Sequence, residues 1–148
     1  MPVGSNDPDS ARFNLPDDDR AAGQARRQVR LTFVRWRLAG LIEDAALAVS
    51  ELVTNAVRHG LPPIGLLLRR RVGEVRIEVN DARPEVTANR TPGGDLAESG
   101  RGLDIVEAVS DDAGSEQIPG DGKLLYVAWN TTGPAVEAGT SDGRPPLS

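Results

Sequence analysis

Glu51, Asn55 and His59 stand four residues apart in Ala-Leu-Ala-Val-Ser-Glu-Leu-Val-Thr-Asn-Ala-Val-Arg-His-Gly, residues 46–60. Helical spacing stacks the three on one face. Val49, Leu52, Val53 and Ala56 make an apolar stripe beside that face rather than opposite it. A carboxylate, an amide and an imidazole at the edge of a core are costly to bury without a partner. Two readings follow. The three form a solvated polar edge, or they form a site with Glu51 as general base and Asn55 as oxygen ligand to a hard cation. Mg2+ takes few protein ligands and fills its shell with waters and phosphate oxygens. One amide oxygen is then enough, provided a nucleotide brings the phosphates. His59, one turn further, either packs or touches a phosphate.

The elements that must position these residues can be read along the chain. Residues 11–15 alternate and suit a short edge strand. Pro16 and Asp17 to Asp19 open a helix running to about Leu38, with Ala22, Ala25, Val29, Phe33 and Trp36 as its apolar stripe. Its other faces carry Arg20, Arg26, Arg27, Arg30, Arg35 and Arg37. Such a run is either a solvated face partly paired with local acids or a surface for an acidic partner or a second copy. Gly40 breaks the pattern, and Glu43 and Asp44 begin the helix of the Glu51 motif. Gly60 is expected to cap it in the left-handed conformation, and Pro62-Pro63 forbids continuation. Ile64–Arg71 and Glu74–Asn80 read as strands joined at Val72-Gly73 in a hairpin.

Asp81 follows the second of these strands. A carboxylate at a strand end can accept from an adenine amino group and reject guanine, or it can simply serve a turn. Residues 84–100 are rich in Pro, Gly, Asn and Asp and form a long loop, of the kind that is usually a lid or disordered. Gly100-Arg101-Gly102-Leu103 then feeds a helix over 103–110. Glycines before a helix N-terminus let backbone N–H groups approach an anion, and Arg101 could pair with a terminal phosphate; by itself the motif is also an ordinary turn. Asp111, Asp112 and Gly114 end that helix, and strands over 113–118 and 124–130 are joined by residues 119–122. Lys123 reads as an exposed turn residue. Residues 1–10 and 131–148 read as disordered tails around one domain over 11–130.

Composition sets the bounds. The chain has 148 residues, no cysteine and a formal charge of −5. That excludes a disulfide framework and a thiolate metal site and argues against a general nucleic-acid binder. No apolar run reaches membrane-spanning length and no signal pattern opens the chain, so a cytoplasmic protein is expected. Strand, two helices, paired strands, lid, helix and paired strands imply an α+β two-layer sandwich.

Ser-Glu-Leu-Val-Thr-Asn-Ala-Val-Arg-His-Gly resembles the N-box of the GHKL (Bergerat-fold, histidine-kinase-like) ATP-binding superfamily. More narrowly, it is similar to the anti-sigma-factor serine/threonine kinase branch of actinobacterial type, over roughly residues 11–130. Asp81 matches the first residue of that superfamily's Asp-x-Gly-x-Gly motif, although both glycines are missing in Asp81-Ala82-Arg83-Pro84-Glu85. Gly100 to Leu103 match its second glycine motif, and Gly122-Lys123 its last-strand segment, with lysine where threonine is frequent.

The resemblance implies a mixed, mostly antiparallel sheet covered on one face by about three helices, with ATP and Mg2+ as cofactors. Asn55 would bind the metal and Glu51 would act as base. Asp81, Gly100, Arg101, Gly102, Leu103, His59 and Lys123 would line the nucleotide. It implies transfer of the γ-phosphate to a serine of a STAS-type anti-sigma-factor antagonist, sequestration of a sigma factor and a homodimer, with no direct contact to nucleic acid or membrane. The alternatives are a nucleotide-gated interaction module of weak catalysis and an adaptor that has lost ATP binding.

Overall fold

Alternation places Ala11, Phe13 and Leu15 on one face of the first strand, β1 (Ser10–Leu15), and all three are buried. The computed structural model describes residues 7–83, 101–118 and 122–131, with the backbone alone for 101–103. β2 (Ile64–Arg71) pairs with β1, and β3 (Glu74–Asp81) pairs with β2 through the expected hairpin, with Gly73 at φ 84° in its turn. β4 (Asp112–Ile118) and β5 (Gly122–Asn130) complete a five-stranded sheet in the order β1-β2-β3-β5-β4. Every pairing among the described residues is antiparallel.

Three helices, α1 (Ala21–Arg35), α2 (Ile42–His59) and α3 (Arg101–Ala108), supply the second layer. α2 packs between α1 and α3. The core joins Ala25, Val29 and Phe33 of α1, Val49, Leu52 and Val53 of α2 and Val106 of α3. These close over Leu66, Leu68, Ile77 and Val127 of the sheet. Such burial of aliphatic side chains, about 1.5–3 kcal/mol each, is the main force holding the layers together.

α1 differs from expectation at both ends. The acids of residues 17–19 precede it instead of occupying its first turn. Asp18 accepts from the Arg20 N–H at 2.9 Å, and its carbonyl accepts from the Ala21 N–H at 3.0 Å. A side chain that folds onto the backbone in this way starts the helix later than a dipole argument suggests. Asp18 also pairs with Arg20 at 2.9 Å, and that hydrogen bond lowers the carboxyl pKa and raises that of the guanidinium.

The other end stops at Arg35, short of Leu38, in a Schellman turn. The Leu38 N–H donates to the Phe33 carbonyl at 2.8 Å and the Arg37 N–H to the Val34 carbonyl at 3.1 Å. Arg37 takes φ 62°, a left-handed conformation that favours glycine. Arg37→Gly is therefore expected to raise stability by about 1 kcal/mol. A urea titration checks it, with the midpoint moving up and the slope unchanged; a lower midpoint contradicts it.

The arginines of α1 are partly engaged inside the chain. Arg26 donates to Ser50 Oγ at 2.9 Å and Arg30 faces Glu43 at 3.5 Å. These contacts follow the paired reading of the charge run. Leu31 and Val34 stay exposed between the arginines.

α3 ends at Ala108, two residues early, and Gly114 lies inside β4 rather than beyond the helix as a stop. A Cβ on Gly114 would sit 2.9 Å from the Tyr126 hydroxyl, so a cross-strand aromatic side chain, not a helix end, crowds this position. β5 begins at Gly122, which makes Lys123 a half-buried strand residue and not a turn residue.

Candidate functional site

α2 carries the first part of the site. Leu52, Val53 and Ala56 anchor the helix, and its eighteen residues run without a break from Ile42 to His59. Ser50 and Glu43 mark the side that faces α1. Asn55 lies about 140° further round the helix than Ser50, away from the α1 side. Asn55 is buried, with 8% exposed, Glu51 is half-buried and His59 is exposed. The three thus share a face but not an environment. His59 is exposed rather than packed, and its carbonyl accepts from Arg83 Nη1 at 2.6 Å.

Gly60 corrects the expected cap. Its φ of −96° and ψ of −168° are extended backbone that any residue adopts. The need for glycine comes from crowding: a Cβ would stand 2.5 Å from Asp81 Oδ2 and 2.8 Å from the Ala56 carbonyl oxygen. The end of α2 and the end of β3 therefore touch through a residue without a side chain.

Asp81, 5% exposed, is the last residue of β3. Its Oδ1 accepts from the Arg83 N–H at 2.7 Å and, more weakly, from the Leu61 N–H at 3.5 Å. No donor among the described residues reaches Oδ2, the oxygen beside Gly60. A buried carboxylate with one oxygen held by main-chain N–H groups keeps the other for an incoming donor.

Gly122 takes φ 101° and lies against the Asp81 and Ala82 backbone; a Cβ there would come within 3.0 Å of the Ala82 carbonyl carbon and collide with the Asp81 carbonyl oxygen. The register then sets Lys123 opposite Asp81 and Gln117 opposite Lys123. No ion pair joins Lys123 to Asp81 among the described residues.

The fold thus brings Asp81, Gly60 and Gly122 together and sets Lys123 beside them, with Glu51 and Asn55 on the helix above. Arg101, Gly102 and Leu103 form the first turn of α3. Gly100 and the proposed lid, residues 84–100, lie outside the described residues, as do residues 1–6, 119–121 and 132–148. Of the expected N-terminal tail, Ser10 opens β1, the Pro8 carbonyl accepts from Trp36 Nε1 at 2.9 Å and Asp9 pairs with Arg70 at 2.8 Å, so residues 8–10 are held against the domain. A cavity of 320 Å3 opens on the other side of α2, against Asp18, Asp19 and Ala22 of the α1 end and Thr54 and Arg58. None of the candidate catalytic or nucleotide-binding residues lines it, so it is a feature apart from the site.

Sequence reasoning missed two contributors. Gly60 was legible as special but for the wrong cause, since crowding by a residue 21 positions later has no local signal. Arg83 was read only as a missing glycine. Its place two residues after a strand-end aspartate is the signal that could have found its main-chain bond.

The family profile described as "Histidine kinase-like ATPase domain" matches residues 15–129, and the chain belongs to that family. Membership implies nucleotide binding. None of the curated proteins matches the chain. Among solved structures it is similar to the RsbU and RsbW domains of Rv1364c from Mycobacterium tuberculosis, with 24% identity and a TM-score of 0.60. The match covers 81% of this chain and 31% of that one, and it shows a shared fold. No helix among the described residues is long and apolar enough to cross a membrane. No three His, Asp or Glu side chains converge on a metal geometry among the described residues.

Proposed function

We propose that the chain binds ATP with Mg2+ beside α2 and acts as an anti-sigma-factor serine kinase of the resembled branch. The observation that carries the nucleotide reading is Asp81, buried in a chain of this family, with Oδ1 held and Oδ2 open beside Gly60. That open acceptor fits the N–H donor of an adenine amino group. Asn55 would supply the metal's protein oxygen, and the first turn of α3, with Arg101, would hold the terminal phosphate. Bound ATP supplies the transferable phosphoryl group. Glu51 takes the proton from the attacking hydroxyl and so favours its attack. In this reading the hydroxyl belongs to a serine of a STAS-type antagonist protein, and phosphorylation frees the chain, as a homodimer in the cytoplasm, to hold a sigma factor. Arg27, Leu31 and Val34 of α1 offer a mixed basic and apolar surface for such protein contacts.

A second reading is favoured by the residue at position 83. Arginine where a motif glycine is expected suits a chain that uses nucleotide to gate protein binding without transferring phosphate.

Thermal unfolding with and without Mg-ATP tests the site. A ligand at 100 times its dissociation constant stabilises the native state by about 2.7 kcal/mol. The wild type is expected to shift by roughly 10 °C for a domain of this size. Asn55→Ala is expected to lose the Mg2+-dependent part. No shift of the wild type at millimolar nucleotide would leave the adaptor reading.

A further inference from the structure

Arg83 does more than occupy a place where glycine is missing. Its main-chain N–H donates to Asp81 Oδ1 at 2.7 Å, while its guanidinium donates through Nη1 to the His59 carbonyl at 2.6 Å. Between the two, the Ala82 N–H donates to the Leu61 carbonyl at 2.8 Å. The His59 carbonyl is one of the last four of α2, which have no partner within the helix. A guanidinium suits it twice over, by hydrogen bonding and by its charge at the negative end of the helix dipole. Glycine at this position would retain the bond to Asp81 and lose the tie to α2. The short segment that orients the Asp81 carboxylate would then keep only the Ala82 bond and the weak 3.5 Å bond from the Leu61 N–H to Asp81 Oδ1 as hydrogen bonds to the chain after α2.

We propose that Arg83 is a positioning residue: it clamps the end of β3 to the end of α2 and thereby fixes Asp81 for reading the base. The proposal rests on the nucleotide reading of the site. It deepens that reading by assigning the selectivity for adenine to a pair, the carboxylate and the arginine that holds it. The missing motif glycine is then a substitution of one kind of support for another. A backbone free to bend is replaced by a side chain that holds it.

The test compares dissociation constants of ATP and GTP, measured by calorimetry well below the unfolding temperature, for the wild type, Arg83→Ala, Arg83→Gly, Arg83→Lys and Asp81→Asn. The ratio of the two constants does not depend on the folded fraction, so a general loss of stability leaves it unmoved. The expected result is a preference for ATP that falls about tenfold in Arg83→Ala and Arg83→Gly and stays within about threefold in Arg83→Lys, whose ammonium can still reach the carbonyl. Asp81→Asn is expected to abolish the preference. Hydrogen exchange of the nucleotide-free protein reads the clamp itself. The Ala82 amide is expected to exchange about tenfold faster in Arg83→Ala. An unchanged ratio in Arg83→Ala beside a selective wild type overturns the positioning role alone. A wild type that binds neither nucleotide overturns it together with the site, and unchanged exchange overturns the clamp.

Discussion

Glu51→Gln is expected to lower ATP turnover by about 10²–10⁴-fold while the thermal stabilisation by Mg-ATP stays that of the wild type. Glutamine keeps the size and the hydrogen-bonding oxygen of the half-buried Glu51 side chain and removes its capacity to take a proton. Glu51 sits one turn before Asn55 on the same helix edge, so a change there tests proton transfer separately from metal and nucleotide binding. The measurement is ADP release by the isolated chain, in which water replaces the protein hydroxyl, followed by phosphate transfer once an acceptor protein is in hand. The kinase reading requires both rates to fall together. Equal rates in Glu51→Gln and the wild type contradict the base assignment. Slow turnover in the wild type, insensitive to Glu51, is the outcome expected of a passive nucleotide-gated module.

Gly60→Val should destabilise the fold by about 3 kcal/mol or more, an effect that backbone conformation alone does not predict. The extended φ and ψ of Gly60 are open to valine. The space is not. The added Cβ would enter the volume between Asp81 Oδ2 and the Ala56 carbonyl oxygen. Asp81 cannot swing away without giving up its bond from the Arg83 N–H, and the Ala56 carbonyl belongs to the helix, where it accepts from Gly60 itself at 2.8 Å. Urea unfolding of Gly60→Val and Gly60→Ala gives the two costs, with alanine the smaller. Pairing Gly60→Ala with Asp81→Ala removes one of the two clashing partners, so the double variant should be less destabilised than the sum of the singles. Strict additivity would mean that the two residues do not press on each other.

The close approach that makes Gly60 intolerant is to Asp81 Oδ2, the oxygen assigned above to the proposed base contact. Stability and the proposed base reading therefore meet at this point of the fold. This is a local instance of a general pattern, in which a site is held in a tight geometry by its surroundings rather than by its own residues.

Periodicity by itself determined most of the architecture. The alternation of Ala11, Phe13 and Leu15, the stripe of α2 and the two runs on either side of Val72-Gly73 each have one low-energy arrangement once their apolar faces must be buried. The polar face of α2 and the strand-end place of Asp81 were legible for the same reason: spacing along a helix or strand fixes direction. The order of the motifs was legible only through the family resemblance. The ends of elements were not. α1 starts after Asp18 turns back onto the chain and stops where Arg37 goes left-handed, and both are decided by hydrogen bonds that compete with the helix. Gly60, Gly114 and Gly122 were visible as glycines, yet the reason for each is a neighbour from elsewhere in the sequence: Asp81, Tyr126 and the Asp81-Ala82 backbone. Arg83 shows the same division. Its type and place were plain in the sequence. Its bond to the His59 carbonyl, 24 residues away, exists only because tertiary packing brings the end of β3 against the end of α2.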